Sequence, residues 1–161
     1  MLSAYPGTHN ATMRAPIGER DDPAGKEVMT HEEMLKAHPK ELSGFDLEKL
    51  ADCIAACFEC AQACTACADA CLSEGMVAEL ATCIRTNLDC ADVCVTTGKV
   101  LSRQTGSDKT VIKAVLEVCA TACQACGTEC AKHAHMHEHC RICAEACKRC
   151  EEACRELIAS L

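Results

Sequence analysis

Eighteen of the 161 residues are cysteines, and they are spaced for one face of an α-helix. Cys53, Cys57, Cys60, Cys64, Cys67 and Cys71 step by 4, 3, 4, 3, 4. Cys119, Cys123, Cys126 and Cys130 step by 4, 3, 4, and Cys140, Cys143, Cys147, Cys150 and Cys154 by 3, 4, 3, 4. Cys83, Cys90 and Cys94 keep the same register, with Asn87 in the vacant slot. Residues three and four apart share a helix face, the seam that an ordinary bundle fills with Leu and Ile. A protonated thiol packs as a small hydrophobe. The same side chains can therefore build the core and, once deprotonated, hold a soft metal ion.

Four long segments carry this seam, roughly Asp46 to Ser73, Met76 to Arg103, Asp108 to Ala134 and Met136 to Ser160. Asp46 and Ser107 suit helix caps, and Gly75 suits a stop. No proline lies between Glu41 and Leu161. Each segment of some 25 residues makes a helix of about 38 Å, and short connections force antiparallel neighbours. The predicted fold is all-α: an antiparallel up-down-up-down four-helix bundle over residues 46–161, with a Cys-lined core. Residues 1–45 form a separate N-terminal part. Gly7, Gly18, Gly25 and all but one of the four prolines fall in residues 1–26, which read as a flexible tail. A short helix of about two turns follows, from the Thr30/Glu33 capping pattern to Pro39. Met29, His31, Met34 and His38 on this part read as a mobile tail or an oligomer contact rather than as a copper guide.

The formal charge of −8 argues against nucleic acid, which wants a basic face. No uninterrupted apolar run reaches a membrane span. The opening MLSAYPGTHNATMRAPIGERDDPAG has no apolar core and no twin-Arg pair, so the chain as it stands is expected to be cytoplasmic. A reducing cytosol keeps thiols free.

Followed past the cysteines, the seam ends differently on its two sides. Leu50, Thr97, Leu101, Val115, Ile112, Leu157 and Leu161 share one end and form an apolar plug. At the other end Leu80, Met76, His133, His137 and Met136 meet at two turns, with HAHMHEHC between the last two helices. Thioether and imidazole are weaker-charged ligands than thiolate. A mouth lined by Met76, Met136, His133 and His137 therefore suits entrance of the ion, with His135 and His139 as further members.

The spacing also selects the metal. Eight CxxxC pairs occur, and i, i+4 side chains lie about 5–6 Å apart at Cβ. Two metal–sulfur bonds of about 2.3 Å end to end span under about 5 Å. A single near-linear ion can bridge such a pair without unwinding the helix. Cu(I) is soft and accepts two thiolates, whereas Zn(II) prefers four ligands in a tetrahedron. Charge agrees: one Cu(I) per thiolate cancels an otherwise self-repelling buried array. Unshared pairs would hold about nine ions and shared sulfurs about eighteen. Cys83 and Cys140 fall outside the pairs and suit mixed sites at the mouth. Asn87 suits a buried register-setting residue rather than a ligand.

Other chemistries fit less well. The ferredoxin run CxxCxxCxxxCP is absent. No βαβ pattern accompanies the CxxC pairs, as a thioredoxin-like enzyme would need, and no separate acid, base or nucleophile set stands apart from the ladder. Same-helix i, i+4 cysteines are poor disulfide partners. A copper carrier delivering Cu(I) to a partner, and a zinc or iron–sulfur binding protein, remain as alternatives.

With this ladder and its Met/His mouth, residues 46–160 resemble the bacterial copper storage proteins, in their cytosolic branch. The resemblance implies Cu(I) held inside each bundle, mainly by CxxxC pairs, for storage and detoxification without catalytic turnover. It carries onto the eighteen cysteines and onto His133 and His137, with Met76 and Met136 as mouth ligands. It also implies a homotetramer of bundles. A copper chaperone or exchange with a small thiol is the expected partner of such a chain.

Overall fold

The computed structural model describes residues 30–40, 42 and 44–161, and the tail expected over residues 1–26, with Met29, lies outside them. The short helix α1 spans Thr30–Lys36. The bundle helices are α2, Leu47–Leu72; α3, Ala81–Leu101; α4, Lys109–His133; and α5, Glu138–Ala159. α2 packs on α3 and α5, and α4 packs on the same two, so the four helices form a square in cross-section.

Three boundaries differ from the sequence expectation. The first turn from Met76 does not continue α3; Val77–Leu80 is a separate 3₁₀ turn, and α3 starts at Ala81. α4 is capped by Asp108 rather than Ser107: the helix starts one residue later, at Lys109, and the Asp108 carboxylate accepts from Thr110 N at 2.7 Å. α5 begins after His137, not at Met136; residues 134–137 stay outside both helices as the wall of the mouth. Asp46 caps α2 as expected, accepting from the N–H groups of Glu48 and Lys49 at 3.2 Å.

The plug forms from Leu50, Thr97, Leu101, Ile112 and Leu157, all buried, with Leu161 half-buried beside them. Val115 is only half-buried, and Leu116 takes the core position instead. The strict 4, 3 alternation requires this. Stepping back from Cys119, a second consecutive step of four overshoots the face, whereas steps of three and then four reach Leu116 and Ile112.

Gly98 sits inside α3, where glycine weakens a helix, and the packing explains it. A Cβ there would stand 3.0 Å from Cζ of Phe58, so the missing side chain admits the Phe58 ring between α2 and α3. Gly127 does the same for α4 and α5: its Cβ would meet Cβ of Cys147 at 3.2 Å. Outside the bundle α1 lies against α2 at the plug end. Leu35 is buried, the His31 ring stacks on Phe58 at 5.9 Å, and His38 Nε2 lies 3.3 Å from Thr105 Oγ1 in the turn between α3 and α4. His31, Met34 and His38 are thus at the far end from the thiol mouth.

By length and composition alone α2 and α4 are apolar enough to cross a membrane. Their apolarity is largely Cys and Ala, and every cysteine on them faces the bundle core.

Candidate metal centre

All eighteen cysteines are buried and free. Each helix contributes its own row because the 3.6-residue period keeps a 4, 3 sequence on one face. Antiparallel packing then interleaves the rows. On one helix, Cys60 and Cys64 stand 3.8 Å apart at Sγ, and so do Cys90 and Cys94. Between neighbouring helices Cys53 meets Cys154 at 3.8 Å, Cys64 meets Cys147 at 3.6 Å, and Cys94 meets Cys123 at 3.5 Å. Sulfurs also meet across the diagonal of the square, where Cys57 faces Cys119 at 4.0 Å and Cys64 faces Cys126 at 3.8 Å. The thiols form one continuous column.

The column divides into overlapping tetrads whose sulfurs all lie within 4.8 Å of one another. Cys57, Cys119, Cys150 and Cys154 form one nearer the plug. Cys60, Cys90, Cys94 and Cys123 form a second, and Cys60, Cys64, Cys90 and Cys147 a third. Cys64, Cys126, Cys143 and Cys147 form a fourth. Cys60, Cys64, Cys90 and Cys147 each belong to two of them. The CxxxC pair is therefore one edge of a shared array. Sequence spacing fixes the edges within a helix but not which helices meet across the core, so the tetrads were not legible in it.

Asn87 is fully buried among these thiols. Its Oδ1 accepts from Cys143 at 3.0 Å, Cys126 at 3.1 Å and Cys130 at 3.5 Å, and its Nδ2 donates to Cys83 Sγ at 3.5 Å. This amide links α3 to α4 and α5, as a register-setting residue would.

The thiols do not titrate independently. Cys60 and Cys119 are held well below the usual thiol range, in each case first by hydrogen bonding to the neighbouring Cys123 thiol. Cys123 is correspondingly pushed up, first by Cys119. Cys53 is lowered to about 5 by donation from Cys154 and then Cys57. At the mouth, burial first and then repulsion from Cys83 push Cys71 up to about 11. A thiolate in this column is stable where its neighbours keep their protons, so full ionisation requires cations among the sulfurs.

At the mouth the predicted ligands separate into two groups. His133 and His137 are half-buried. His133 Nε2 lies 3.4 Å from Oε1 of Glu129, and His137 Nδ1 lies 2.9 Å from Oε1 of Glu74. Met76 and Met136 are 60% and 62% exposed, on the outside of the turns, and His135 is exposed too. His139 goes further in than expected. Its Nδ1 lies 3.4 Å from Sγ of both Cys67 and Cys140, and it completes a tetrad with Cys67, Cys71 and Cys140. His139 directly precedes Cys140 in sequence, a place off the 4, 3 seam. The ring reaches the thiols because it lies in the first turn of α5, whose start at Glu138 the sequence did not reveal. Glu74 carried no signal of its own; it is one residue of a turn until the fold brings α5 beside it.

A square bundle whose interior is a column of free thiols, plugged at one end and His-lined at the other, is a protein built to hold many soft ions. The comparisons agree. Residues 46–159 match the family described as Csp, copper storage protein, and the chain belongs to that family. It is similar to the copper storage protein Ccsp of Streptomyces lividans loaded with 10 copper equivalents, at 62% identity and TM-score 0.81, over 82% of this chain and 100% of that one. It is also similar to the Cu(I)-bound copper storage protein BsCsp3, at 44% identity and TM-score 0.58, over 65% of this chain and 93% of that one. A Bacillus subtilis relative described as the uncharacterized cysteine-rich protein YhjQ is 42% identical over 107 residues, 66% of this chain and 94% of the relative.

Proposed function

We propose that this chain is a cytosolic, high-capacity store for Cu(I) that buffers and detoxifies copper without catalytic turnover. The carrying observation is the overlap of the buried tetrads. Within the column the sulfurs of the Cys60/Cys64 and Cys90/Cys94 pairs stand 3.8 Å apart. A linear S–Cu–S unit spans about 4.6 Å, so turning two side chains slightly apart admits the ion. Shared sulfurs can bridge successive monovalent ions, and each ion replaces one thiol proton. The ligands are the eighteen cysteines, with His139 joining Cys67, Cys71 and Cys140. His133 and His137 guard the mouth, and Met76 and Met136 are placed to gather ions outside it. A likeness to a cytosolic copper storage protein of Streptomyces lividans, at 67% identity and TM-score 0.70, supports the compartment.

A zinc reading has one specific support. The edge of a ZnS₄ tetrahedron is about 3.8 Å, the spacing seen between several pairs of sulfurs. A divalent ion for every thiolate would leave the core strongly positive, however, whereas one Cu(I) per thiolate cancels its charge. Zinc therefore fits a few sites and copper fits the column.

The bundle is proposed to assemble as a homotetramer. In support, a groove of about 320 Å³ between α3 and α4 is lined by Val93, Thr96, Ala114, Val115 and Val118, with Leu88 and Val111 exposed on the same helices. Copper would leave to a chaperone or a small thiol.

Titration of the fully reduced protein with Cu(I) under nitrogen, against a competing chelator, tests the storage reading. Tight uptake well above about nine ions per chain, the limit for unshared pairs, is expected. Saturation at one or two ions would leave a carrier instead.

A further inference from the structure

Glu74 occupies the turn after α2, and His137 caps α5 across the mouth. Oε1 of Glu74 lies 2.9 Å from Nδ1 of His137 and 3.1 Å from Nε2 of His139. The two rings sit 5.4 Å apart. One carboxylate oxygen thus ties together the two turns that frame the port.

The consequence for His139 is chemical. An ionised carboxylate only accepts, so the ring nitrogen facing it carries the hydrogen. In the neutral ring Nε2–H leaves the lone pair on Nδ1, the atom 3.4 Å from the sulfurs of Cys67 and Cys140. Nδ1 is then ready to receive a thiol proton or an incoming cation without a tautomer change. Without Glu74 both tautomers would be open, and one of them turns an N–H toward the place where a cation must come. Histidines that ligate metals commonly give their other N–H to a carboxylate for this reason.

We infer that Glu74 is the positioning residue of the port: it sets the His139 tautomer and holds His137 over the entrance. This inference rests on the storage reading and names the residue that prepares its first inner site.

The test uses the full chain, reduced and metal-free, as wild type, Glu74→Ala and Glu74→Gln. Long-range ¹⁵N–¹H NMR reads the His139 tautomer before any copper is added. Stopped-flow mixing with a Cu(I)–chelator complex reads the loading rate, and exhaustive titration reads capacity. Wild type is expected to show His139 protonated at Nε2. Glu74→Ala should show mixed tautomers and load about tenfold more slowly, the lower end of what loss of an outer-shell partner does at a metal site. Its capacity should be unchanged, because every thiol remains. Glu74→Gln keeps an oxygen acceptor at the same place and should restore both the tautomer and most of the rate. An unaltered tautomer or rate in Glu74→Ala overturns the inference, and so does a fall in capacity, which would make Glu74 a ligand or a fold residue. A Gln variant as slow as the Ala variant also overturns it, since charge rather than orientation would then be at work. If wild type takes up no copper, the storage reading fails, while the NMR arm still decides whether Glu74 sets the tautomer.

Discussion

Asn87 is the one seam position inside the column that is not a thiol. It lies four residues from Cys83 and three from Cys90, where the ladder would place a cysteine. Its amide satisfies three S–H groups from α4 and α5 and donates to a fourth sulfur on its own helix. A buried amide so placed fixes which helices face one another, the register role known for polar core residues. Asn87→Cys would complete a Cys83/Cys87 CxxxC pair. We expect the variant to stay helical and to hold about one more Cu(I) per chain, as a further pair implies, read by Cu(I) titration with copper and protein assayed together. A loss of capacity would mean that the amide oxygen itself holds an ion. At this scale the sequence was legible wherever a residue kept the 4, 3 step, which covers all eighteen cysteines. It placed His139 only among the further members of the mouth, not against the thiols that it reaches from outside the seam, and it was silent on Glu74, whose partners are 63 and 65 residues away.

Helix packing depends on two places where a side chain is missing. Gly98 and Gly127 each bring a neighbouring helix close, and at Gly98 the neighbour is the rigid Phe58 ring. The ring is in turn stacked with His31 of α1, so it has little room to retreat. Gly98→Ala would gain about 1 kcal/mol of helix propensity. It would lose about 1–3 kcal/mol to overpacking at a 3.0 Å contact. A net loss on the order of 1 kcal/mol is expected, measured by urea unfolding of the metal-free protein, whereas stabilisation would show that Phe58 and α1 move aside freely. Element existence and order were readable from the sequence because each helix carries a strong period and a proline-free run. The ends were not: the 3₁₀ turn at Val77–Leu80 and the late start of α5 both follow from how the chain must bend round the mouth. The shift from Val115 to Leu116 was legible in principle, since the alternation already present in the cysteines predicts it.

For the molecule as a whole, the core must be stable in two chemical states. Metal-free, it is a packed column in which protonated thiols, each a small hydrophobe, stabilise the few thiolates beside them, closed by the leucines and Ile112 of the plug. Loaded, it is a column of thiolates neutralised by cations. What it cannot tolerate is ionisation of the remaining, proton-donating thiols without metal. Cys71 shows the sign. Its folded value is raised from 9.0 to about 11, so its contribution to stability is present below pH 9 and is lost as pH rises through about 11. Cys53, lowered to about 5, works in the opposite sense, but only while Cys154 and Cys57 still have protons to donate. The metal-free bundle should therefore remain folded when a chelator strips it at neutral pH, unlike a zinc finger, and its melting temperature should fall steadily between pH 9 and 11. In the loaded protein those protons have already gone, and ions bound to the folded state add stability by mass action. Its melting temperature should be higher at every pH and nearly flat over the same window. Circular dichroism melts of both forms under nitrogen, with proton release during loading followed in weakly buffered solution, would check this. A metal-free chain that is unfolded at pH 7, or a loading reaction that releases no protons, would be incompatible with a preformed thiol column.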